Sequence, residues 1–217
     1  MRYRDTRDAS RMVSFAQAVM QGMYPETGGL YIPESIPTLP TGLVSRKSIP
    51  SFREIAFETA RPFVEGEIPD DELMAIIADA YPFTAPVAPI DPTTYVLELF
   101  HGPTCAFKDF GARFMARTMS WFNRGENKTL HILVATSGDT GSAVGSAFHG
   151  VEGIDVTILY PRGKISPLQE RQLSTFDGNV RALSVEGTFD DCQRLVKAAF
   201  TDEALRGKFR LSSAHSI

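Results

Sequence analysis

Long hydrophobic runs are absent from this sequence, and no stretch approaches the roughly 20 apolar residues that cross a bilayer as a helix. Cysteine is scarce: Cys105 and Cys192 are the only two, and their separation suits neither a metal motif nor a disulfide framework. An excess of basic residues is also missing, since the net charge is −4. We therefore expect no membrane, metal or nucleic-acid partner.

The start of the chain lacks a secretory pattern, because its first eight residues are mostly charged and no apolar segment follows them. With so little cysteine, this predicts a cytoplasmic location. What the chain does have is the composition of a globular protein. Hydrophobic residues make up 43% and charged residues 22% of the 217 positions, which allows a sizeable core.

Two sequence patterns predict a first domain at residues 1–92 and a second at residues 93–217. The first domain is expected to be mainly helical, with proline-rich connections between its helices. One helix should begin at the capping box formed by Ser51 and Glu54, and another should follow Pro69. Four prolines between residues 82 and 92 mark the predicted boundary.

In the second domain, apolar strands alternate with helices. The predicted strands are Tyr95–Phe100, Leu130–Ala135, Val156–Tyr160 and Val180–Val185, and the predicted helices are residues 108–123, 140–149, 167–175 and 189–200. This alternation predicts a parallel sheet covered by helices. Another strand begins near Phe209, and the chain stops soon after it. We therefore expect a truncation within an α/β domain, or a piece of a longer protein.

Lys108 is the most informative candidate residue, because it lies among aromatic and small residues. In a helix over residues 106–122 it would share an apolar face with Ala112, Met115, Met119 and Phe122. Burial favours the neutral amine, which can act as a nucleophile or form a Schiff base. The alternative is a structural lysine that extends to solvent and pairs with Asp109.

A second candidate is the small-residue turn at residues 134–145, where a predicted strand leads into a helix. Gly138 and Gly141 would let a ligand approach the backbone closely. The hydroxyl donors are Thr136, Ser137, Thr140 and Ser142. Together with a helix N-terminus they predict an anion site, although the pattern is neither a dinucleotide fingerprint nor a Walker loop. The alternative is a capped turn in which Asp139 complements the helix dipole.

A third candidate segment, residues 160–171, follows the next predicted strand. Arg162, Lys164 and Ser166 could face an anionic substrate at the carboxyl edge of the sheet. A solvated loop followed by a helix cap at Ser166 and Gln169 explains the same residues. Both interpretations stay open at this point.

The histidines are scattered. His101 lies near Lys108 and could line a site, whereas His131, His149 and His215 have no ligand spacing and are expected to be structural. Cys105 has no evident base beside it, so we expect it to pack against neighbours.

Three motifs in this order resemble the threonine synthase family, in its bacterial and fungal branch. They are residues 25–33, residues 101–111 around Lys108, and residues 135–141. The terminal residues 212–217 are similar to a family segment that usually has asparagine where His215 stands. The resemblance covers the whole chain, and its motifs together favour the catalytic interpretation of Lys108.

The resemblance implies an α/β fold with the parallel sheet of pyridoxal-phosphate (PLP) enzymes of fold type II, as in the tryptophan synthase β-subunit. The fold would be incomplete here and preceded by the small, mainly helical amino-terminal domain. The cofactor would be pyridoxal 5'-phosphate, with Lys108 as the Schiff-base and catalytic lysine. The activity would be that of a carbon–oxygen lyase acting on phosphates, which converts O-phospho-L-homoserine and water to L-threonine and phosphate.

The resemblance also implies roles for the surrounding residues. The cofactor contacts would be Lys108, Ser137, Gly138, Asp139 and Thr140. We expect the substrate contacts to be Thr104 of the lysine motif together with Arg162, Lys164 and Ser166, the residues already placed at the carboxyl edge of the sheet. Asp139 stands where many relatives carry asparagine near the ring oxygen of the cofactor, so Asp139 is expected near the cofactor but without the asparagine's contact to that oxygen.

Two family features are absent from the 217 residues: the cofactor-phosphate loop and the hydroxyl residue that faces the pyridine nitrogen. We therefore expect weak cofactor binding and little activity from this chain alone, with the second half of the enzyme as its partner. Two alternatives stay open. The chain could belong to another fold-type-II enzyme, an amino-acid dehydratase or phospho-lyase, or it could be a non-catalytic interaction module.

Overall fold

The amino-terminal part combines helices with a small antiparallel sheet. The computed structural model describes residues 1–22, 28–45 and 47–214, so residues 25–27 of the first motif and His215 lie outside the described residues. The elements are β1 (Tyr3–Asp5), β2 (Met12–Val13), α1 (Phe15–Gln21), β3 (Tyr31–Pro33), α2 (Thr41–Ser45), α3 (Phe52–Val64) and α4 (Asp70–Ala80). The sheet order is β2-β1-β3. Each of these strands has only two or three residues, which is too short for an alternating apolar pattern to predict it from sequence.

The remaining elements form a hairpin and a parallel α/β unit. They are β4 (Val87–Pro89), β5 (Tyr95–Leu97), α5 (Lys108–Phe122), β6 (Leu130–Ala135), α6 (Asp139–Phe148), β7 (Ile154–Pro161), α7 (Pro167–Ser174), β8 (Val180–Val185), α8 (Phe189–Thr201), α9 (Glu203–Lys208) and β9 (Arg210–Ser213). The predicted α/β architecture is confirmed. Within the described residues, no helix has both the length and the apolar character needed to cross a membrane.

The parallel sheet has the strand order β8-β7-β6-β9, and helices cover both of its faces. Ile132 and Val134 of β6 join the core shared with α5 and α6, whereas Ala135 packs with Cys192 and Val196 of α8. This alternation follows from the period of two along a strand. Burial also raises the pKa of the Cys192 thiol, so Cys192 is a neutral packing residue.

The strand order reverses beside β6. Strands β7 and β8 follow β6 on one side, whereas β9 pairs with β6 on its other side, from Leu130–Arg210 to Leu133–Ser213. Open α/β sheets bind ligands at such a reversal, outside the carboxyl ends of the strands. The loop after β6 therefore occupies the favoured position for a ligand.

One strand prediction is wrong in extent and partner. The segment predicted as Tyr95–Phe100 is a strand only at Tyr95–Leu97, and it pairs antiparallel with Val87–Pro89 instead of joining the parallel sheet. The cause is a tight turn. The Asp91 carboxylate accepts hydrogen bonds from the backbone N–H groups of Thr93 and Thr94, both at 2.8 Å, and this local turn favours a hairpin.

Helix α5 is anchored to α4 by arginine side chains. Arg113 donates to the carbonyl oxygens of Ala80 at 2.6 Å and Asp79 at 2.8 Å, which satisfies the end of α4. Arg117 pairs with the Asp79 carboxylate and also donates to the carbonyl of Ala147 in α6. The end of α5 lies at the amino edge of the parallel sheet, because the Asn123 side-chain amide donates to the Gly153 carbonyl just before β7 at 3.1 Å. Helix α6 ends at the same edge, since it connects the parallel strands β6 and β7, so α5 and α6 run in the same direction.

The predicted capping box at Ser51 is confirmed. The Ser51 hydroxyl accepts from the Glu54 N–H at 3.3 Å, and the Glu54 carboxylate accepts from the Ser51 N–H at 2.7 Å. We expect Ser51→Ala to lower the free energy of unfolding by about 1 kcal/mol. Urea denaturation checks this, with Ser48→Ala in the exposed preceding loop as control. Equal midpoints for both variants would contradict the capping role.

Candidate functional site

Three segments meet the carboxyl edge of the parallel sheet. Strand β6 leads into the loop before α6, and β7 leads into the loop before α7. Helices α5 and α6 both end at the amino edge of the sheet, so the first turn of α5, at Lys108, lies toward the carboxyl edge, as the first turn of α6 does. The three sequence candidates therefore belong to one region of the molecule, as expected for an open α/β sheet.

Lys108 is the first residue of α5 and is half-exposed, not buried as expected. Its Nζ lies 4.7 Å from the centre of the Phe107 ring, a cation–π contact. The predicted apolar face does form further along the helix, where Ala112 and Met119 are fully buried. The amine is thus held at the edge of the core with access to a ligand.

Asp109 is a buried carboxylate that orders the loop before α5. It is fully enclosed and accepts hydrogen bonds from the Thr104 N–H at 2.9 Å and the Thr104 hydroxyl at 2.8 Å. Its position in the first turn of α5 also suits the helix dipole. Thr104, predicted to contact substrate, is therefore held within the protein through its hydroxyl.

The same loop contains strained backbone. Cys105 has a φ of 59°, in the left-handed region that residues other than glycine seldom adopt. Its side chain is exposed, so the expectation that Cys105 packs against neighbours is wrong. The Thr104–Asp109 hydrogen bonds hold this conformation three residues before Lys108.

An aromatic cluster supports the start of α5 from the amino-terminal side. Phe110 makes edge-on contacts with Phe52 and Phe83 at centroid distances of 5.7 and 5.2 Å. The Tyr81 hydroxyl donates to the carbonyl oxygen of Phe110 at 3.3 Å, and burial raises the pKa of Tyr81 to about 12. The amino-terminal part thereby fixes the helix turn that carries Lys108.

Thr136 is the centre of the loop after β6. Its buried hydroxyl accepts from the N–H groups of Gly138 at 3.0 Å and Gly141 at 2.9 Å, and it donates to the Gly138 carbonyl at 3.2 Å. Ser142 is also buried. Thr136 and Ser142, two of the four predicted hydroxyl donors, are therefore internal supports of the loop and are not exposed to a ligand.

Ser137 and Thr140 present the other two hydroxyls. Ser137 is exposed and Thr140 half-exposed, and neither hydroxyl has a hydrogen-bond partner among the residues that the structure describes. Both lie at the N-terminus of α6, where polar hydrogen-bonding groups and the helix dipole favour an anion. These hydroxyls are the groups of the loop available to a ligand.

Asp139 and Gly138 are positioned by Gln169 of α7. The Gln169 amide donates to the Asp139 carboxylate at 2.7 Å. Gly138 has a φ of 146°, and a Cβ there would lie 2.3 Å from the Gln169 amide nitrogen. The position therefore requires glycine. The predicted capping glutamine thus also joins α7 to the loop before α6.

The third segment mixes exposed charges with a helix cap. Arg162 pairs with Glu186 at 2.5 Å, and Lys164 is exposed. The Ser166 hydroxyl accepts from the Gln169 N–H at 3.2 Å, so it serves the predicted cap. Nearby, burial and the Glu170 carboxylate raise the pKa of the Tyr160 phenol, which keeps it a neutral donor.

The three described histidines lie on the surface beside acidic residues. His101 contacts Glu98 at 2.7 Å, His149 contacts Asp177 at 2.8 Å, and the third, His131, contacts Asp155 at 3.7 Å. Within the described residues, no group of histidine, cysteine and carboxylate side chains could hold a metal ion.

The parallel sheet, its ligand edge and the lysine before a small-residue loop define a class of cofactor enzyme. Residues 90–214 match the family described as "Pyridoxal-phosphate dependent enzyme", and the chain belongs to this family. Its cofactor is pyridoxal phosphate. Residues 2–81 match the family described as "Threonine synthase N terminus".

Several of the similar proteins are threonine synthases. The chain is 47% identical to the threonine synthase of Haemophilus influenzae, and the match covers 94% of this chain and 47% of that protein. It is 44% identical to the threonine synthase of Escherichia coli, and the match covers 100% of this chain and 50% of that protein. The E. coli crystal structure superposes with a TM-score of 0.89 over all of this chain and 50% of that one. The crystal structure of a PLP-bound threonine synthase from Brucella melitensis has 39% sequence identity and also superposes with a TM-score of 0.89, over 100% of this chain and 48% of that one. The chain spans about half the length of these relatives.

Proposed function

We propose that this chain forms the first half of a threonine synthase, which converts O-phospho-L-homoserine and water to L-threonine and phosphate. The observation that carries the proposal is the placement of Lys108 at the ligand edge of the sheet, in a chain of the PLP-dependent family. The identity of 44% to the E. coli threonine synthase over the whole chain supports this activity over dehydration or simple phosphate elimination.

The side chains at the edge fit one end of the cofactor. Pyridoxal phosphate carries an aldehyde, and the half-exposed primary amine of Lys108 is the group that would hold it. The hydroxyls of Ser137 and Thr140, with the start of α6, suit its polar substituents or the substrate carboxylate. The 217 residues contain no Ser-Gly-Asn-Phe-Gly type loop for the cofactor phosphate, so only this end of the cofactor is matched.

Each side chain has a proposed task. Pyridoxal phosphate, when bound, supplies an electron sink that stabilises negative charge at the substrate carbons. The amine of Lys108 moves protons at Cα and Cβ of the substrate. Arg162 and Lys164 add positive charge that attracts the substrate phosphate, even though Arg162 also pairs with Glu186. Thr104 and Ser166 position their loops through the hydrogen bonds that engage their hydroxyls.

Asp139 and Gly138 shape the loop in this proposal. Gly138 leaves the space that the Gln169 side chain fills, and the hydrogen bond from Gln169 orients the Asp139 carboxylate. The predicted domains, residues 1–92 and 93–217, meet within the turn of the β4–β5 hairpin, and this boundary stays a prediction. The scarcity of cysteine supports a cytoplasmic enzyme.

The 217-residue chain alone is expected to retain little cofactor, because the phosphate loop is absent. After incubation with pyridoxal phosphate and removal of the excess by gel filtration, we expect no stable visible absorbance band and no phosphate release from O-phospho-L-homoserine. A stable band that Lys108→Ala removes, together with phosphate release, would contradict this expectation.

The test of the function uses a joined chain, in which residues 1–217 are followed by the second half of the E. coli threonine synthase. With pyridoxal phosphate, the joined chain is expected to form threonine from O-phospho-L-homoserine. Product analysis by chromatography distinguishes threonine from the 2-oxobutanoate of a dehydratase or phospho-lyase. A folded joined chain that yields only 2-oxobutanoate, or no product, would overturn the proposed function.

A further inference from the structure

The β4–β5 hairpin is apolar and uncovered on both faces. Its register pairs Val87 with Leu97 and Pro89 with Tyr95, so these four side chains share one face, while Val96 lies on the other. Val87, Tyr95 and Leu97 are 60%, 61% and 54% exposed, and Val96 is 40% exposed. A two-stranded hairpin with neither face packed is only marginally stable in water. The hairpin therefore needs another segment packed against its faces to be stable.

Exposed apolar side chains continue along the chain from the hairpin to the residue before Lys108. Ile90 in the turn, Phe100 after β5 and Phe107 before α5 are each more than half exposed. Phe107 also lies against the amine of Lys108. Soluble monomers seldom expose so many large apolar residues in one short segment, and such surfaces mark interaction sites.

The outer edge of β5, and not that of β4, can accept a further strand. Strand β4 contains Pro89, which has no N–H to donate, so its outer edge resists pairing. Strand β5 contains no proline, and within the described residues its only strand partner is β4. A further strand can therefore add to β5 through main-chain hydrogen bonds.

The relatives indicate what covers this surface. The chain spans 47% and 50% of the H. influenzae and E. coli threonine synthases. Residues 2–81 match the threonine synthase N terminus, so this chain corresponds to the first half of those relatives. The second half of these relatives is thus a polypeptide of similar size that must pack against the first.

We propose that the β4–β5 hairpin is the docking surface for the second half of a threonine synthase, which extends the sheet at β5 and covers both hairpin faces. The inference rests on the proposed function, because the partner is the rest of the same enzyme. Phe107, which lies against the Lys108 amine, is exposed in the chain segment that follows the hairpin, so a partner that also covers Phe107 would lie beside the lysine. The cofactor-phosphate loop that the 217 residues lack would then arrive at the lysine with the partner.

Amide hydrogen exchange tests the docking surface. We expect residues 87–97 to exchange at least about tenfold more slowly in the joined chain than in the 217-residue chain, because covered strands open less often. Unchanged exchange at residues 87–97 in a joined chain that unfolds cooperatively would overturn the inference. Protection that rises with the concentration of the 217-residue chain alone would identify a second copy as the occupant and would also overturn it.

Substitutions provide a second arm. Val96→Asp is expected to lower the Tm of the joined chain by about 4 °C or more and to change that of the 217-residue chain by less than about 2 °C. Ile49→Asp, at a 96% exposed side chain outside the hairpin, is the matched control and should change neither protein. Equal Tm shifts for Val96→Asp in both proteins would overturn the inference.

Co-expression with a tagged second half of the E. coli enzyme provides a third arm. The 217-residue chain should co-purify, Val96→Asp should abolish co-purification, and Ile49→Asp should preserve it. Failure of the unsubstituted chain to co-purify counts against the proposal. A protected hairpin without threonine formation overturns the proposed function alone, whereas threonine formation with an unprotected hairpin overturns the docking inference alone.

Discussion

Lys108→Ala is expected to lower the rate of threonine formation by the joined chain about 10³-fold or more, because it removes both the amine that would hold the cofactor and the proposed proton carrier. The substitution should leave folding intact, since the side chain is half-exposed at the first turn of α5. Steady-state kinetics with pyridoxal phosphate and O-phospho-L-homoserine measure the loss, and thermal unfolding checks the structure.

The control for this substitution is another lysine. Lys197→Ala, on the exposed side of α8, should retain the activity of the joined chain. Borohydride reduction adds an independent readout, because it converts a lysine–cofactor bond to a stable secondary amine that peptide mass spectrometry locates. We expect the label on Lys108 and on neither the other five lysines of residues 1–217 nor those of the added second half. Equal labelling of several lysines, or near-normal activity of Lys108→Ala, would remove Lys108 from the site.

Thr136→Val is expected to lower the free energy of unfolding by about 2–4 kcal/mol, because it leaves two buried N–H donors without an acceptor. Those donors belong to Gly138 and Gly141, and both now reach the Thr136 hydroxyl within 3.0 Å. Valine has nearly the same shape as threonine, so the change isolates the hydroxyl. The loop that carries Ser137 and Thr140 should also lose its conformation, and activity of the joined chain should fall.

Thr118→Val is the matched control for that substitution. Thr118 is as buried as Thr136, but its hydroxyl has no hydrogen-bond partner among the described residues. Replacing an unsatisfied buried hydroxyl by a methyl group should be neutral or stabilising. Urea denaturation of both variants gives the comparison. Similar losses for the two variants would show that the shared change in side-chain chemistry, and not the hydrogen-bond network of Thr136, determines the effect.

Local patterns were sufficient to predict most of the α/β unit. Strands β6 and β8 have the predicted bounds, and α5 begins at the predicted residue, because their apolar periodicity and flanking turns agree. The antiparallel pairing of Tyr95–Leu97, within the predicted strand Tyr95–Phe100, could not be predicted in this way. The apolar run of this segment suits a buried strand, whereas the hydrogen bonds to Asp91 stabilise a turn that makes it one strand of an exposed hairpin.

The candidate site was predictable as a set of segments but not as a set of contacts. Lys108 and the loop around Gly138 could be identified from composition and order, because both interrupt regular elements with unusual residues. The role of Thr136 as an internal hydrogen-bond centre was not visible, since a hydroxyl in a sequence does not reveal whether it faces a ligand or its own backbone. The burial of Asp109 was missed for the same reason.

The pairing of β9 with β6 has a consequence for the order of synthesis. Strand β6 leaves the ribosome well before residues 210–213, so one of its edges is open while β7 and β8 can already pair on the other. The reversal of strand order beside the loop of Thr136 is therefore completed only when the last described strand arrives. Until then that edge of β6 presents unpaired backbone N–H and C=O groups, which are open to pairing with a strand of another chain.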